Sequence, residues 1–377
     1  MTFIAPLTSL RFLAAAAVAI FHLQGAFGYH TGNINFAPAI TFFFVLSGFV
    51  LTHAYEDFPD ESSVVRYYVS RFARLWPLHL MTALYFLWFI YTPPLKIVLA
   101  NLLLVQSWSM ELVTAMAMNG VSWSISVEVF FYFIFPAVIV TRRYWALWLM
   151  ASVAVVVFAG AMATLTGETG EHLTGAAWLS FLHVGPPARF LEFLAGVLTA
   201  LFFRRHPQIK LPVQIWTVLE LLALALAAFF CRFEPFTSFA NANLPVALAC
   251  WLLYSGTFPI MCVVVLCFAY SGGVISRILS LKPFVFLGDI SFAVYMVHQL
   301  VLVVWLQQGW APNAWDPFAL CLIFAQIACI SVLSFIFVEK PAKAALIAAA
   351  MRLQRAKWWR RPSQPGSTST RPAQPGL

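Results

Sequence analysis

Long apolar runs, each close to the length of a membrane crossing, recur along almost the whole chain and dominate what it can fold into. A crossing helix needs about 20 mostly apolar residues. Ten segments meet that description: 6–27, 37–54, 72–92, 123–141, 144–165, 188–203, 213–231, 244–271, 284–305 and 316–338. The runs are continuous rather than alternating, which argues against a membrane β-barrel, whose lipid-facing signal has period two. Hydrophobic residues make up 62% of the chain and charged residues only 10%, against about 25% charged in an ordinary soluble domain. The expected fold is therefore an all-α integral membrane bundle of about ten helices. The run 95–108 is too short for a crossing and reads as re-entrant or interfacial. The segment 244–271 is broken around Ser255, Gly256 and Pro259, so it reads as kinked or split.

Charge sets the orientation. Lys plus Arg number 22 and Asp plus Glu 14. Eight of the basic residues lie from Lys340 onward with no acid among them, which leaves 14 against 14 in the rest. That distribution excludes a nucleic-acid reading of the net charge. It fits a cytoplasmic end under the positive-inside rule and contact with anionic lipid. With the N-terminus inside, inner loops hold Arg66, Arg71, Arg74, Arg142, Arg143, Arg204, Arg205, Lys210, Arg277 and Lys282. Outer loops hold only Lys96 and Arg232 as bases. Both termini are thus expected in the cytoplasm, and the spans 123–141 and 144–165 are joined at Arg142–Arg143 by a very tight hairpin. Arg11 before the run Phe12 to Phe21 resembles a signal peptide, but His22 interrupts the run and many further spans follow, so an uncleaved first helix is expected. The expected division is a transmembrane domain over 1–341 and a tail over 342–377, basic and then Pro/Ser-rich and disordered. The six cysteines lie in or beside apolar runs with no CxxC pair and read as small buried apolar residues.

Ionisable groups within spans cost about 2.5–3.5 kcal/mol each to insert, so each is a functional candidate. Arg11 and His22 share one face of the first helix but stand about 16 Å apart along its axis. Arg11 reads as a snorkelling anchor or a ligand site, and His22 as an interhelical hydrogen bond or a base. Arg71 and Arg74, at i and i+3, share a helix face and serve either as inner-surface anchors or as a phosphate grip. Glu128 is expected at a depth close to that of His22, as a structural ion pair or as the carboxylate that orients the imidazole. Ser47-Gly48 reads as a packing notch. Structural roles are expected for the Arg189–Glu192 pair and for Asp289 and Glu339. His298 is a further imidazole, in the ninth span.

Taken in order, these features resemble the membrane acyltransferase-3 family, which O-acylates carbohydrates and other cell-surface or secreted molecules. The resemblance rests on Arg11 and His22, FFFVLSGFVL at 42–51, Arg71-x-x-Arg74, WSISVE at 123–128, ARFLEFLAGV at 188–197, GDISFAVYMVHQ at 288–299 and FVEKP at 337–341. It implies a multi-pass enzyme of the inner or plasma membrane with no resident cofactor or metal. The co-substrate would be cytoplasmic acyl-CoA, acetyl-CoA first, and the acceptor a sugar or glycan hydroxyl. Arg11, Arg71 and Arg74 would bind the donor, His22 and Glu128 would be catalytic, and any glycan-handling partner would be a separate protein. The competing expectation is a transporter or exporter of a glycan or lipid-linked intermediate.

Overall fold

A computed structural model describes residues 3–28, 38–169, 175–231, 243–310 and 316–359. The described residues are 82% helix and contain no strand. Among the described residues, six helical stretches are long and apolar enough to cross a membrane, or seven if the bent pair Lys282–Asp289 and Ser291–Gln307, which meet at 56°, forms one crossing.

The helices that fall short of that standard explain the gap from ten. Helix α2 (Pro38–Ala54) is apolar but has 17 residues. Helix α3 (Glu61–Phe89) opens with a polar turn and carries arginines. A third, α8 (Phe190–Arg205), has 16 residues and holds the buried Glu192. Polar groups and short lengths are tolerated where neighbouring helices, rather than lipid, surround them. By contrast α6 (Trp145–Leu165) and α9 (Val213–Cys231), long and apolar, leave most of their length unburied.

Local chemistry sets the boundaries. Helix α1 (Ala5–Phe27) has Pro6 in its first turn and stops at Gly28, whose φ of 67° is left-handed, its N–H donating to the Gln24 carbonyl at 2.9 Å. That is the conformation glycine supplies most readily at a helix end. Helix α3 begins eleven residues before the expected 72, because Asp60 accepts from the Ser63 N–H at 2.7 Å and the Asp60 N–H donates back to the Ser63 hydroxyl at 3.4 Å. This capping box starts a helix in polar sequence that an apolar window does not register. The Ser63 N–H holds the exposed Asp60 carboxyl below its ordinary range.

The 95–108 run is not a crossing. It forms α4 (Leu95–Leu102) of eight residues, about 12 Å long against about 30 Å of hydrocarbon, and turns at Leu104, whose φ is 58°. The chain then folds back into the bundle through buried polar side chains. Gln106 donates to the Ser122 carbonyl at 3.1 Å, Ser107 to the Trp123 carbonyl at 2.7 Å and Asn119 to the Met296 carbonyl at 3.0 Å. Helix α5 (Trp123–Val140) therefore starts inside the protein. A 3-10 turn, Arg142–Tyr144, makes the tight joint to α6. The segment 244–271 is two helices, α10 (Val246–Ser255) and α11 (Phe258–Tyr270), in one continuous candidate crossing, and the short α12 (Val274–Leu279) follows.

Helices α2 and α8 form the tightest pair. Thr41 lies against Arg189, Gly48 against Phe193 and Val197, and His53 against Arg204, so the two run parallel. A Cβ on Gly48 would strike the Phe193 carbonyl, and one on Gly196 the Val45 carbonyl. Because backbone blocks each position, an added methyl forces the helices apart, at about 1–3 kcal/mol for overpacking. The notch expected at Ser47-Gly48 is thus half of a reciprocal pair of glycines. At the same interface Arg189 grips Glu192 with two bonds, 2.6 and 2.8 Å, and also donates to the carbonyls of His183 and Tyr254 at 2.8 and 3.0 Å. Both side chains are buried. The pair locks α2, α7 (Ala177–Val184), α8 and α10 together, as its structural reading expected.

Helix α13 (Lys282–Asp289) and α14 (Ser291–Gln307) run parallel to α1, since Gly288 abuts Thr8 and His298 meets His22. Helix α15 (Pro317–Ser334) buries only a stripe of Ala319, Ile323, Ile327, Ser331 and Ser334. Its remaining faces are open, which leaves Cys321 and Cys329 exposed rather than buried as expected. A π-turn at Phe335–Glu339 leads into α16 (Lys340–Trp359), which packs on α3. The boundary expected between 341 and 342 falls inside that helix. The expected disordered segment from Arg361 lies outside the described residues.

Candidate active site

Arg11, Arg71, Arg74 and Glu128 line one pocket of about 720 Å³, its open mouth included. Ser47 from α2, Tyr132 from α5 and Tyr295 from α14 share it. Five helices build it, α14 through Tyr295 and its neighbours Ser291 and Phe292. One face of α1 supplies Arg11. One face of α3 supplies Arg71 and Arg74 together, as their i, i+3 spacing requires. Helix α5 adds Glu128 and Tyr132 one turn apart, and α2 closes the wall with Phe43, Phe44 and Ser47.

The electrostatics are unbalanced. None of the three arginines has a carboxylate within 4.0 Å among the described residues, where the ion pairs are Arg189–Glu192 and Arg204–Glu56. Arg71 lies 5.9 Å from the ring centres of both Tyr55 and Tyr132 and donates to Ser70 Oγ at 3.3 Å. Arg11 feels the positive charge of Arg74 and Arg71 alongside the negative charge of Glu128. Arg74 is in electrostatic reach of Glu128, Glu339 and Asp289. Lys343 adds a fourth basic group near Arg71 and Arg74. From sequence Lys343 is simply one of the eight basic residues from Lys340 onward. Buried charge is ordinarily matched by opposite charge, and here several cations face an open cavity.

Glu128 does not meet His22, which corrects the expected pairing. Its Oε1 accepts from Ser47 Oγ at 3.2 Å and from the Tyr132 hydroxyl. The reason is where α5 begins. Ser124 Oγ bonds the Tyr295 hydroxyl at 2.7 Å, and that hydroxyl donates to the Val121 carbonyl at 3.0 Å. The helix thus starts level with Tyr295, not at the outer surface. Glu128 lies five residues on, about 7.5 Å further along, among the arginines.

His22 has a different partner. Its Nδ1 lies 2.9 Å from Nε2 of His298 on α14. The two rings are near coplanar at 16° with centres 5.2 Å apart, so they meet edge to edge. His298 is fully buried, and Tyr295 packs on it with ring centres 5.9 Å apart. The sequence contains the signal for this, Tyr295 and His298 at i and i+3 on one face, but nothing in it ties His298 to α1. Phe43 packs against Tyr295 at 6.0 Å, and both line the pocket. Tyr295, one turn before His298 on α14, thus stands between the arginine pocket and the histidine pair. Helix α1 is unbroken from Ala5 to Phe27, so Arg11 and His22 keep their axial separation of about 16 Å.

Within the helical bundle, three arginines thus line one cavity, and a hydrogen-bonded pair of imidazoles lies beyond Tyr295; the class of protein that carries this arrangement is shown by its relatives. The profile of the family described as "Acyltransferase domain" matches residues 5–338, and the chain belongs to that acyltransferase-3 family. It is similar to acyltransferase MdmB of Streptomyces mycarofaciens, 31% identical over 336 residues that cover 78% of each chain. It is also similar to peptidoglycan O-acetyltransferase OatA of Listeria monocytogenes, 23% identical over 372 residues, covering 90% of this chain but 56% of the relative. No solved structure matches. The protein is a multi-pass membrane O-acyltransferase, and the exporter alternative is set aside.

Proposed function

We propose that the enzyme transfers an acyl group, acetyl first among candidates, from cytoplasmic acyl-CoA to a hydroxyl of a sugar or cell-surface glycan. The observation that carries this reading is the pocket in which Arg11, Arg71 and Arg74 converge without an ion-pair partner among the described residues. A polyanion with several phosphates is the ligand such a cavity lacks, and guanidinium is the group best suited to grip it. The pantetheine arm, thin and uncharged, runs alongside the packed Phe43–Tyr295 pair and brings the thioester to His22. His22 takes the proton of the acceptor hydroxyl. The oxygen attacks the thioester carbonyl, the C–O bond forms, the C–S bond breaks, and the imidazolium returns its proton to the departing thiolate. The OatA relative acts on peptidoglycan, which supports a glycan acceptor.

This route needs a donor side facing the cytoplasm. The proposed arrangement has ten crossings in the inner or plasma membrane with both termini inside, supported by the loop charges. Reporter fusions after Arg143, Arg205 and Lys282 are expected to read as cytoplasmic, and external signals at all three would reverse the donor side. The activity is tested with purified protein in lipid nanodiscs, radiolabelled acetyl-CoA and fractionated cell-envelope glycans. Label is expected in a hydroxylamine-sensitive ester on a carbohydrate fraction. Label confined to lipid or protein, with none on any glycan, would refute the glycan acceptor.

A further inference from the structure

We infer that His298 is a positioning residue: it fixes the tautomer of His22 so that the lone pair of His22 lies on Nε2, the nitrogen that meets the substrate. This rests on the reading of His22 as the base. The argument is a chain of hydrogen bonds with one consistent solution. Nδ1 of His298 lies 3.1 Å from the carbonyl oxygen of Val294, one turn back on α14. A carbonyl can only accept, so Nδ1 carries the hydrogen. In a neutral imidazole the other nitrogen is then an acceptor. That nitrogen, Nε2, lies 2.9 Å from Nδ1 of His22, so His22 Nδ1 must donate. It follows that His22 Nε2 holds the lone pair, and it has no hydrogen-bond partner among the described residues.

The opposite assignment fails on physical grounds. If His298 Nε2 carried the hydrogen, its Nδ1 lone pair would face the Val294 carbonyl oxygen at 3.1 Å. Two acceptors would then oppose each other at a fully buried residue, where water offers no relief. Fixing a histidine through its second nitrogen is a common device at catalytic and metal sites. Here a backbone carbonyl, relayed through a second imidazole, does what a carboxylate does elsewhere. The sequence reading assigned that task to Glu128. A neutral relay also adds no second charge beside the imidazolium that forms during turnover.

The test separates tautomer from activity. In protein labelled with ¹⁵N at histidine, His22 is expected to show a protonated Nδ1 and an unprotonated Nε2. His298→Leu removes the acceptor and is expected to redistribute that signal. It should lower kcat by about 10–100-fold, the usual cost of losing an outer partner of a functional histidine, with KM for acetyl-CoA unchanged. His298→Gln, whose amide oxygen can still accept from Nδ1–H, is expected to recover most of the loss. A hydrogen on His22 Nε2 in the wild type would overturn the inference, as would equal kcat in the Leu and Gln variants. If the tautomer is as stated but His22→Gln retains full activity, the base reading has failed and the tautomer assignment stands.

Discussion

His22→Gln is expected to lower acyl transfer by about 10²–10⁴-fold, the range general-base assistance contributes, while acetyl-CoA binding and the yield of folded protein persist. Glutamine is the informative replacement because its amide can still bond His298, which preserves the contact between α1 and α14, but it cannot take up a proton. Donor binding should survive because Arg11, on the same helix, is about three turns away and lines the pocket that His22 does not. His22→Ala should lose activity to a similar degree and some stability as well, since it leaves His298 buried with an unpaired Nε2. Turnover at matched expression, with donor affinity measured on the same preparations, decides the matter. Near wild-type turnover by His22→Gln would leave the imidazole as an interhelical bond alone.

Much of this arrangement was legible before the fold, for reasons that can be traced residue by residue. The i, i+3 spacing of Arg71 and Arg74 places both on one face whatever surrounds them, and they do share a pocket. Arg11 and His22 are linked by an unbroken helix, so their separation was arithmetic. The brevity of 95–108 and the charges that would otherwise change sides were enough to withhold a crossing there. What sequence could not supply was depth. Glu128 was placed beside His22 by counting from an assumed membrane surface at Trp123, yet α5 starts inside the bundle. The cause is a set of buried side chains, Gln106, Ser107 and Asn119, whose partners are 16 to 177 residues away. Span counting failed for a related reason. Helices α2, α3 and α8 carry or flank the polar centre and are shielded by neighbours, so they need not look like lipid-facing helices.

The second large effect is expected at the donor pocket. Arg11→Ala and Arg74→Ala should each weaken acetyl-CoA binding by about 10–150-fold, the equivalent of losing one charged hydrogen bond of about 1.5–3 kcal/mol. Neither arginine makes a hydrogen bond or ion pair to protein among the described residues, so removing either breaks no direct contact, and Lys340 and Lys343 remain as countercharges for the buried Glu339 that Arg74 also faces. The loss should therefore appear in affinity and not in folding. Lysine at either position should restore only part of it, because a point charge cannot reproduce a two-pronged grip on phosphate. Arg204→Ala is the matched control. It removes the same charge from a half-buried residue whose carboxylate contact, to Glu56, is 3.9 Å long, and it should leave affinity unchanged. Glu128→Gln carries the opposite sign. Its carboxylate is the one acidic group lining the arginine pocket among the described residues, so it competes with incoming phosphate, and its neutral counterpart should bind acetyl-CoA more tightly. Isothermal titration in nanodiscs reads all of these variants on one scale. Equal weakening by Arg204→Ala would mean that net charge, not this pocket, holds the donor. Weaker binding by Glu128→Gln would mean that the carboxylate organises the arginines rather than opposing their ligand.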